Sequence, residues 1–404
     1  MSLDLGNTAV QIDRMAAGLK SRVDRKRARL RQALESVRTF DAIVYEEKRL
    51  LSKNTVAWSL PVAFDSPSAA FPAPPPPADH RVLATDGSDI GTDRHLPARC
   101  YVINIGVASL TYGSQPDADL RSRARLYADD QDLVIRDPDA AFRQVGVAGT
   151  VLAAKRMAEE AVALAEEATE TSPEVPTLAL MDGSLVMIGL ASHGFDDYVR
   201  RELLDNGFIR ALDELKRLSE ERTLAVASYI SLPGSAEATN ALRLVACPYE
   251  VADCDRYCAS IVPGERPCDS VATGIVDREL FGETLKAGQR SAVFASSSSL
   301  VANHYRGHEV HFFYVHTGEE IGRVEVPVWV AEDERLLDLV HSLILDQCSR
   351  GPGYPVVLME AHEQAAITAS DRRFFVEQVE SALQDQALPV YTSEKSRSKR
   401  LRWL

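Results

Sequence analysis

Two segments of the chain, far apart in the sequence, each carry a short apolar run that ends in Asp-Gly-Ser. The first run ends at Asp86 and the second ends at Asp182. Apolar runs of this length are typical of buried strands, and a glycine directly after the run favours a sharp turn. We therefore predict that each aspartate stands at the carboxyl end of a strand, where α/β sheets bind their ligands. Two carboxylates on neighbouring parallel strands would repel each other unless a divalent cation lay between them, so the pair predicts a metal-dependent enzyme.

The composition bounds the class of protein. The chain has 404 residues, of which 45% are hydrophobic and 26% are charged, as expected for a globular protein with one elaborated domain or two. It contains no apolar stretch long enough to span a membrane, and its first residues lack the basic and hydrophobic segments of a signal peptide. We therefore expect a cytoplasmic protein with no membrane partner. Six cysteines in a chain of this length do not indicate a disulfide framework.

Charge is unevenly distributed along the chain. The formal net charge of −14 argues against unspecific binding of nucleic acid by the whole surface. Residues 14–38 and the tail at 395–402 are nevertheless rich in lysine and arginine. A nucleic-acid channel needs only local positive lining, but such runs are also common on solvated helix faces and in frayed tails. The sequence leaves both interpretations of these basic segments open.

Three regions differ in their sequence pattern. Residues 1–63 are predicted to form an N-terminal helical arm, because apolar residues recur at helical spacing within 9–50. Residues 64–80 are predicted to be a proline-rich connector, since proline at this density excludes both helix and central strand. Residues 81–404 are predicted to form the core domain, with a cysteine-bearing insertion near 245–270. We expect the long, basic helix of the arm to contribute to a dimer or to a partner contact.

The order of elements in the core domain predicts its fold. The patterns predict strands at 81–85, at 100–109 and, more weakly, at 124–127 or 133–135, then a helix at 147–169, a strand at 176–181, a helix at 195–221 and a strand at 223–230. This order matches the α/β ribonuclease H-like fold, a mixed sheet in which three antiparallel strands are extended by two parallel strands. The first and fourth strands are neighbours in that sheet, which would place Asp86 beside Asp182. Later helical additions are expected at 335–347 and 354–369, after a strand pair within 307–330.

Two further residues are candidates to complete a metal site with the two aspartates. The long helix offers Glu159, with Glu160 as the reserve, although glutamate is also an ordinary solvent-facing residue of helices. The late helix offers His362, with Asp371 as the alternative. Carboxylate oxygens suit Mg²⁺ or Mn²⁺, and one imidazole shifts the preference toward Mn²⁺.

Four cysteines lie close together in the predicted insertion. They are Cys247, Cys254, Cys258 and Cys268. Four thiols can bind zinc or an iron–sulfur cluster, but the usual Cys-x-x-Cys pair is missing. The alternative is a group of reduced, partly buried thiols, and the sequence does not decide between the two.

Five fragments of the sequence together resemble the NurA family of nucleases. In chain order they are Ala84-Thr85-Asp86-Gly87-Ser88, Arg156 with Glu159, Leu180-Met181-Asp182-Gly183-Ser184-Leu185, Ser228-Tyr229-Ile230, and Tyr354-Pro355 leading to Ala361-His362. The resemblance implies a ribonuclease H-like nuclease that depends on Mn²⁺. By position in these motifs, it implies that the metal ligands, and so the catalytic residues, are Asp86, Glu159, Asp182 and His362.

The resemblance also implies a biological role. A NurA nuclease degrades DNA from 5′ ends, cuts single strands internally, forms a ring-like homodimer and works with the hexameric HerA translocase in DNA end resection and double-strand break repair. The chain has no Gly-x-x-x-x-Gly-Lys loop, so ATP hydrolysis is expected from the partner. Two other functions stay open on the sequence alone: a non-catalytic DNA-end clamp or translocase adaptor, and an RNA-directed ribonuclease of the same fold.

Overall fold

The computed structural model describes two compact units. The smaller unit comprises Met1–Ala73, Ile230–Ser298 and His311–Val324, and the larger unit comprises Pro74–Tyr229, Ser299–Val310 and Glu325–Leu404. The described residues are 4–52, 55, 56, 58–63, 66–92, 98–191, 195–262 and 264–388, so the basic tail and residues 64 and 65 of the connector lie outside them. In this described part, no helix combines the length and the apolar character that crossing a membrane requires.

Strands and helices alternate irregularly along the chain. The strands are β1 (Val62–Ala63), β2 (Ala70–Pro72), β3 (His80–Ile90), β4 (Tyr101–Tyr112), β5 (Asp117–Tyr127), β6 (Val134–Asp137), β7 (Ala140–Gly146), β8 (Thr177–Asp182), β9 (Leu224–Ile230), β10 (Gln289–Ser291), β11 (Phe294–Ala295), β12 (Val310–His316) and β13 (Ile321–Pro327). The α-helices are α1 (Leu5–Arg38), α2 (Ala42–Ser52), α3 (Thr150–Glu170), α4 (Asp197–Arg200), α5 (Arg210–Glu221), α6 (Glu237–Ala246), α7 (Cys254–Cys258), α8 (Asp269–Ala272), α9 (Asp277–Thr284), α10 (Ser299–His304), α11 (Val328–Ala331), α12 (Glu334–Arg350), α13 (Val356–Ala365) and α14 (Ala369–Asp385). A π-helical stretch, Arg201–Ile209, joins α4 to α5.

The larger unit contains five neighbouring strands in the order β5-β4-β3-β8-β9. Strands β3, β4 and β5 are antiparallel, whereas β8 is parallel to β3 and β9 is parallel to β8. Three antiparallel strands extended by two parallel ones define the ribonuclease H-like fold, so the predicted fold class is confirmed. The apolar core of this unit lies between the sheet, α3 and the helical run from α4 to α5.

Strand β3 continues past the point where the sequence predicted a turn. It pairs with β4 along its whole length, from His80 opposite Tyr112 to Ile90 opposite Val102. Its parallel pairing with β8 stops at Thr85, so Asp86 lies just beyond the parallel ladder but inside a continuing strand. The predicted turn at Gly87 is therefore wrong, and the reason for a glycine there is space. A β-carbon at Gly87 would lie 2.4 Å from Oε1 of Glu160 on α3.

Two helices cover opposite faces of β3 at this point. Successive residues of a strand point to opposite faces, so Asp86 and Gly87 face different helices. Gly87 faces α3, as its missing β-carbon shows, and Asp86 faces α13. Gly106, the partner of Asp86 on β4, lies against α13 so closely that a β-carbon would be 2.1 Å from the carbonyl oxygen of Ala361.

The third antiparallel strand is longer than either of the predicted alternatives. Strand β5 is an edge strand of 11 residues, whereas the alternative segment at 133–135 contributes to a separate hairpin of β6 and β7. Most of β5 is polar and exposed, so it carries no apolar run for the sequence to show. Arg121 and Arg123 of β5 both form ion pairs with the buried Glu167 of α3, which anchors this edge to the helix.

The smaller unit begins with two helices where the sequence predicted one. Helix α1 ends at Arg38, and Asp41 begins α2 by accepting hydrogen bonds from the backbone N–H groups of Ile43 and Val44. Among the side chains of α1 that the structure describes, those that are buried lie near its end, at Ala33 and Val37. The strands of this unit run in the order β1-β11-β12-β13, with β10 beside β12 and β2, and they pack around Tyr45 of α2. The predicted insertion contains the short helices α7 and α8.

Candidate active site

Asp86 and Asp182 line the same cleft of the larger unit. Asp182 is the last residue of β8, and Gly183 follows it with a φ of 82°, which makes the sharp turn predicted there. The cleft has a volume of about 440 Å³, and its lining also includes Arg156, Glu160 and His362. The two Asp-Gly-Ser segments therefore reach one site, as expected for neighbouring strands.

His362 contacts Asp86 directly. Its Nδ1 lies 2.7 Å from Oδ2 of Asp86, while the backbone N–H of Gly87 donates to the other carboxylate oxygen at 2.8 Å. The position of His362 follows from the docking of α13. Its last carbonyl groups accept hydrogen bonds from Ser88 on β3 and from the side-chain amide of Asn104 on β4. The serine of the first Asp-Gly-Ser segment thus holds the helix that carries the histidine.

Asp182 is held by Tyr354, which is not among the candidate ligands predicted from the sequence. The hydroxyl of Tyr354 donates to Oδ1 of Asp182 at 2.9 Å, and the ring of Tyr354 packs edge-on against the ring of Tyr229 at 5.5 Å between centroids. Burial among these groups raises the pKa of Asp182, and the charge of Asp86 adds to this, whereas the hydrogen bond from Tyr354 lowers it. Both tyrosines belong to the fragments that resemble the NurA family. Their presence in those fragments is the feature of the sequence that could have indicated a role at the site.

The second Asp-Gly-Ser segment is fixed by a buried glutamate. Glu325 accepts a hydrogen bond from the hydroxyl of Ser184 at 2.8 Å and another from the backbone N–H of Leu185 at 2.9 Å. Because Glu325 lies in the interior, these bonds hold the loop after Asp182 in one conformation.

Glu160, the reserve candidate, lines the cleft, whereas Glu159 points elsewhere. The carboxylate of Glu159 accepts hydrogen bonds from the hydroxyl of Tyr127 on β5 at 2.6 and 2.7 Å and lies 3.4 Å from Nζ of Lys155. Consecutive helix residues differ by about 100° in direction, so only one of the two can face β3. The hydroxyl of Thr85 donates to the backbone carbonyl of Glu160 at 2.9 Å. This bond helps to hold α3 in the rotation about its axis that turns Glu160, and not Glu159, toward β3.

Glu160 has the most strongly perturbed acidity in the cleft. Burial raises the pKa of this carboxyl to about 8, and the charges of Asp86, Asp182 and Glu159 act in the same direction. Arg156 opposes them, with its guanidinium 3.5 Å from Oε1 of Glu160. Arg156 also donates to the backbone carbonyl of Gly87, so it stands at the edge of the carboxylate group as a fixed cation.

The donors of this cleft fit a divalent cation by their chemistry. Three carboxyl side chains share one cleft, and a cation would offset the repulsion between their negative charges. Oxygen ligands with one imidazole suit Mg²⁺ or Mn²⁺. Each donor is at present held by a protein partner, as described above. Over the described ranges, no three His, Cys, Asp or Glu side chains stand in an arrangement that could itself enclose an ion.

The remaining candidates lie outside this cleft. Asp371 begins α14, where it accepts hydrogen bonds from the backbone and hydroxyl of Thr368. The four cysteines lie in the smaller unit as thiols, and burial raises the pKa of Cys258, with smaller contributions from the other three. Over the described residues, the cysteines do not form a group of three or more that could hold a metal ion, and both sequence-based interpretations, a metal site or reduced thiols, remain predictions.

The strand order and the acidic cleft at the strand ends define a ribonuclease H-like protein. The family profile described as NurA domain matches residues 80–367, which is more than half of the chain. The chain therefore belongs to the NurA family, and it is a nuclease that acts on nucleic acid.

Two solved structures are similar to parts of the chain. One is the crystal structure of LC9-RNase H1, a type 1 RNase H with the type 2 active-site motif, at 10% identity over 42% of this chain and 71% of that chain, with a TM-score of 0.21. The other is the structure of an Argonaute from Aquifex aeolicus, at 10% identity over 71% of this chain and 28% of that chain, with a TM-score of 0.24. The fold assignment rests on the strand order of the larger unit. No curated protein sequence matches the chain.

Proposed function

We propose that the chain is a divalent-metal-dependent deoxyribonuclease, with Mn²⁺ as the preferred ion and Mg²⁺ as an alternative. It would degrade DNA from 5′ ends and cut single strands internally, as a homodimer that works with a HerA-type hexameric ATPase in end resection during double-strand break repair. The observation that carries the catalytic part is the convergence of Asp86, Glu160, Asp182 and His362 on one cleft. The partner, the polarity and the repair role rest on membership of the NurA family.

Asp86, Glu160, Asp182 and His362 are the residues that would hold the ion. We place Glu160 in this set instead of Glu159, because Glu159 is engaged by Tyr127. A bound divalent cation would activate water for attack on the phosphodiester and stabilise the charge that develops on the leaving oxygen. The protein supplies the orientation of the donors: the main-chain N–H of Gly87 orients the Asp86 carboxylate, and the hydroxyl of Tyr354 orients that of Asp182.

Arg156 is the cation of the cleft that substrate can reach. Its side chain is about one-third exposed, and its guanidinium is fixed by the carbonyl of Gly87. An arginine in this position can bind a phosphate oxygen of the strand and hold it beside the carboxylates. Its positive charge also offsets part of the carboxylate repulsion before any cation binds.

The decisive experiment replaces each aspartate by its amide. Asp86→Asn and Asp182→Asn keep the shape of the side chain and remove its charge, so the fold should be retained while cleavage falls by about a hundredfold or more. Labelled single-stranded DNA, duplex DNA and RNA of matched sequence are incubated with Mn²⁺, with Mg²⁺ or with EDTA. Full activity of both amide variants in Mn²⁺ would contradict the proposed site.

The same assay separates the alternative functions. Cleavage of the RNA but not of the DNA would assign an RNA-directed ribonuclease, since the 2′-hydroxyl and the helix geometry govern that choice. Unchanged substrate in every metal, with and without a HerA-type ATPase, would assign a non-catalytic clamp or adaptor. Cleavage of labelled DNA progressing from the 5′ end, dependent on Mn²⁺, is the expected result.

A further inference from the structure

A second cleft lies in the smaller unit, between α1 and residues 264–270, which comprise the loop before α8 and the start of α8. Its volume is about 490 Å³. Helix α1 contributes Arg25 and Arg29, which are one helical turn apart, and the loop contributes Arg266. Three guanidinium groups therefore line one concave surface, in a protein whose overall charge is strongly negative.

The arginines of this cleft have no carboxylate partners among the described residues. Arg29 donates only to the backbone carbonyl of Thr273, at 3.1 Å, and Nε of Arg266 is buried without a hydrogen-bond partner. The neighbouring Lys26 differs, because Glu279 binds its ammonium group at 2.5 Å. The charge of Lys26 is thus neutralised on the side of α9, whereas Arg25 and Arg29, on the side of the cleft, have no such carboxylate among the described residues.

The acidic residues that line the cleft do not cancel this charge. Asp269 is buried, and it accepts hydrogen bonds from the backbone N–H groups of Gly264 and Arg266 and from the hydroxyl of Thr273. It also forms an ion pair with Arg243 at 2.9 Å, so its charge is used to shape the loop. Glu265 is the one lining carboxylate that stands exposed among the described residues.

Guanidinium groups without carboxylate partners are well suited to bind phosphate oxygens. Their planar N–H forks match two oxygens of a phosphate, and neutralising a phosphate releases counterions from the nucleic acid. We propose that this cleft binds the phosphodiester backbone of single-stranded DNA, as a binding site separate from the catalytic cleft. The inference rests on the proposed function for the choice of DNA, but its test does not depend on cleavage.

The test measures binding in EDTA by fluorescence anisotropy of a labelled single strand of DNA. The variant Arg25→Gln/Arg266→Gln removes two cleft charges and breaks no side-chain hydrogen bond found in the structure. The matched control is Arg27→Gln/Arg31→Gln, which removes two exposed arginines of the same helix that do not line the cleft. Arg25→Gln alone, on an exposed helix face, keeps the test valid if substitution of Arg266 impairs folding.

The cleft variant should bind about tenfold more weakly at moderate salt, and the slope of log affinity against log salt concentration should fall by about 1.4, which corresponds to two phosphate contacts on a single strand. Arg25→Gln alone should lower the slope by about half of that amount. The control should lose less than about twofold. Equal losses in the cleft and control variants would overturn the proposal, since they would indicate diffuse charge only.

Competition by inorganic phosphate at constant ionic strength distinguishes the two sources of phosphate. If phosphate displaces the DNA no more than chloride does, the result supports a cleft that binds the strand. Strong displacement by phosphate would assign the site to a small anion and overturn the proposal. A wild-type protein that cleaves DNA while the cleft variant binds normally refutes this inference alone. A wild-type protein that never cleaves DNA but binds it through Arg25 and Arg266 refutes the proposed nuclease activity alone.

Discussion

At the scale of single residues, the two neighbouring glutamates of α3 offer the sharpest test of the site. Glu160 faces the cleft, whereas Glu159 faces Tyr127. Replacement by glutamine is the same chemical change at either position, so any difference in its effect reports the position of the side chain. We expect Glu160→Gln to lower cleavage in Mn²⁺ by about a hundredfold or more, because it removes a charged ligand. Glu159→Gln should stay within a few-fold of the wild type. Steady-state cleavage of a labelled oligonucleotide measures both, and the reverse order of losses would restore Glu159 to the site.

The raised pKa of Glu160 predicts how stability depends on pH. Its pKa is about 8 in the folded protein against an ordinary value of 4.5, so the folded state binds this proton more tightly than the unfolded state. The stability of the folded state that depends on this bound proton is therefore fully present below pH 4.5, and it is lost as the pH rises toward 8. We expect Glu160→Gln to melt several degrees higher than the wild type at pH 8 in EDTA, with little difference at pH 4.5. Thermal unfolding followed by circular dichroism at the two pH values measures this. The same difference in melting temperature between the two proteins at both pH values would show that the pKa of Glu160 is not raised.

The residue pattern could not separate these two glutamates. Helix α3 is rich in alanine and glutamate, so its buried stripe contrasts little with its other faces, and Glu160 and Glu167 are both buried. The deciding contact, from the hydroxyl of Thr85 to the carbonyl of Glu160, joins residues that lie 75 positions apart. By contrast, each aspartate follows a buried strand directly, and local apolar patterning is enough to show where a strand is buried.

At the scale of elements, the strands with continuous apolar runs were predictable and the edge strand was not. Strands β8 and β9 are buried up to their last residue, β4 is buried over most of its first eight residues, and all three carry apolar runs at the predicted places. Strand β5 is exposed and polar, and its pairing with β4 depends on contacts that a local pattern does not contain. Strand β3 passes through Asp-Gly-Ser because β4 supplies hydrogen bonds along its whole length, so a sequence that usually turns is kept extended.

The close approach of α13 to β4 gives a prediction at the same scale. In Gly106→Ala the new methyl group would meet the backbone of α13, so the helix must move and carry His362 away from Asp86. We expect the free energy of unfolding to fall by about 1–3 kcal/mol and cleavage to fall with it. Gly146→Ala is the matched control, because nothing lies within 4 Å of its β-carbon position, and it should change stability by less than about 0.5 kcal/mol. Urea unfolding measures both, and equal midpoints in the two variants would refute the tight contact.

At the scale of the whole molecule, the first half of α1 carries large apolar side chains that are exposed in the single chain. The helix has 34 residues and is about 51 Å long, but its buried contacts begin only near Leu30. Leu5, Ile12 and Leu19 recur every seven residues, and with Met15 they form an apolar stripe whose side chains are 41 to 70% exposed. A seven-residue apolar repeat is the pattern by which two helices pair as a coiled coil.

This stripe leads to a prediction about assembly. Most of the stability of a helix in a protein comes from packing of its apolar face, so we expect this stripe to pair with the same helix of a second chain and to stabilise the proposed homodimer. Ile12→Gln/Met15→Gln/Leu19→Gln should then convert a dimer, at twice the chain mass of 44.3 kDa, into a monomer at micromolar concentration. Val10→Gln is the control, because Val10 is equally exposed but lies off the stripe. Light scattering during gel filtration measures the mass, and a dimer that survives the triple substitution would place the dimer interface on another surface of the protein.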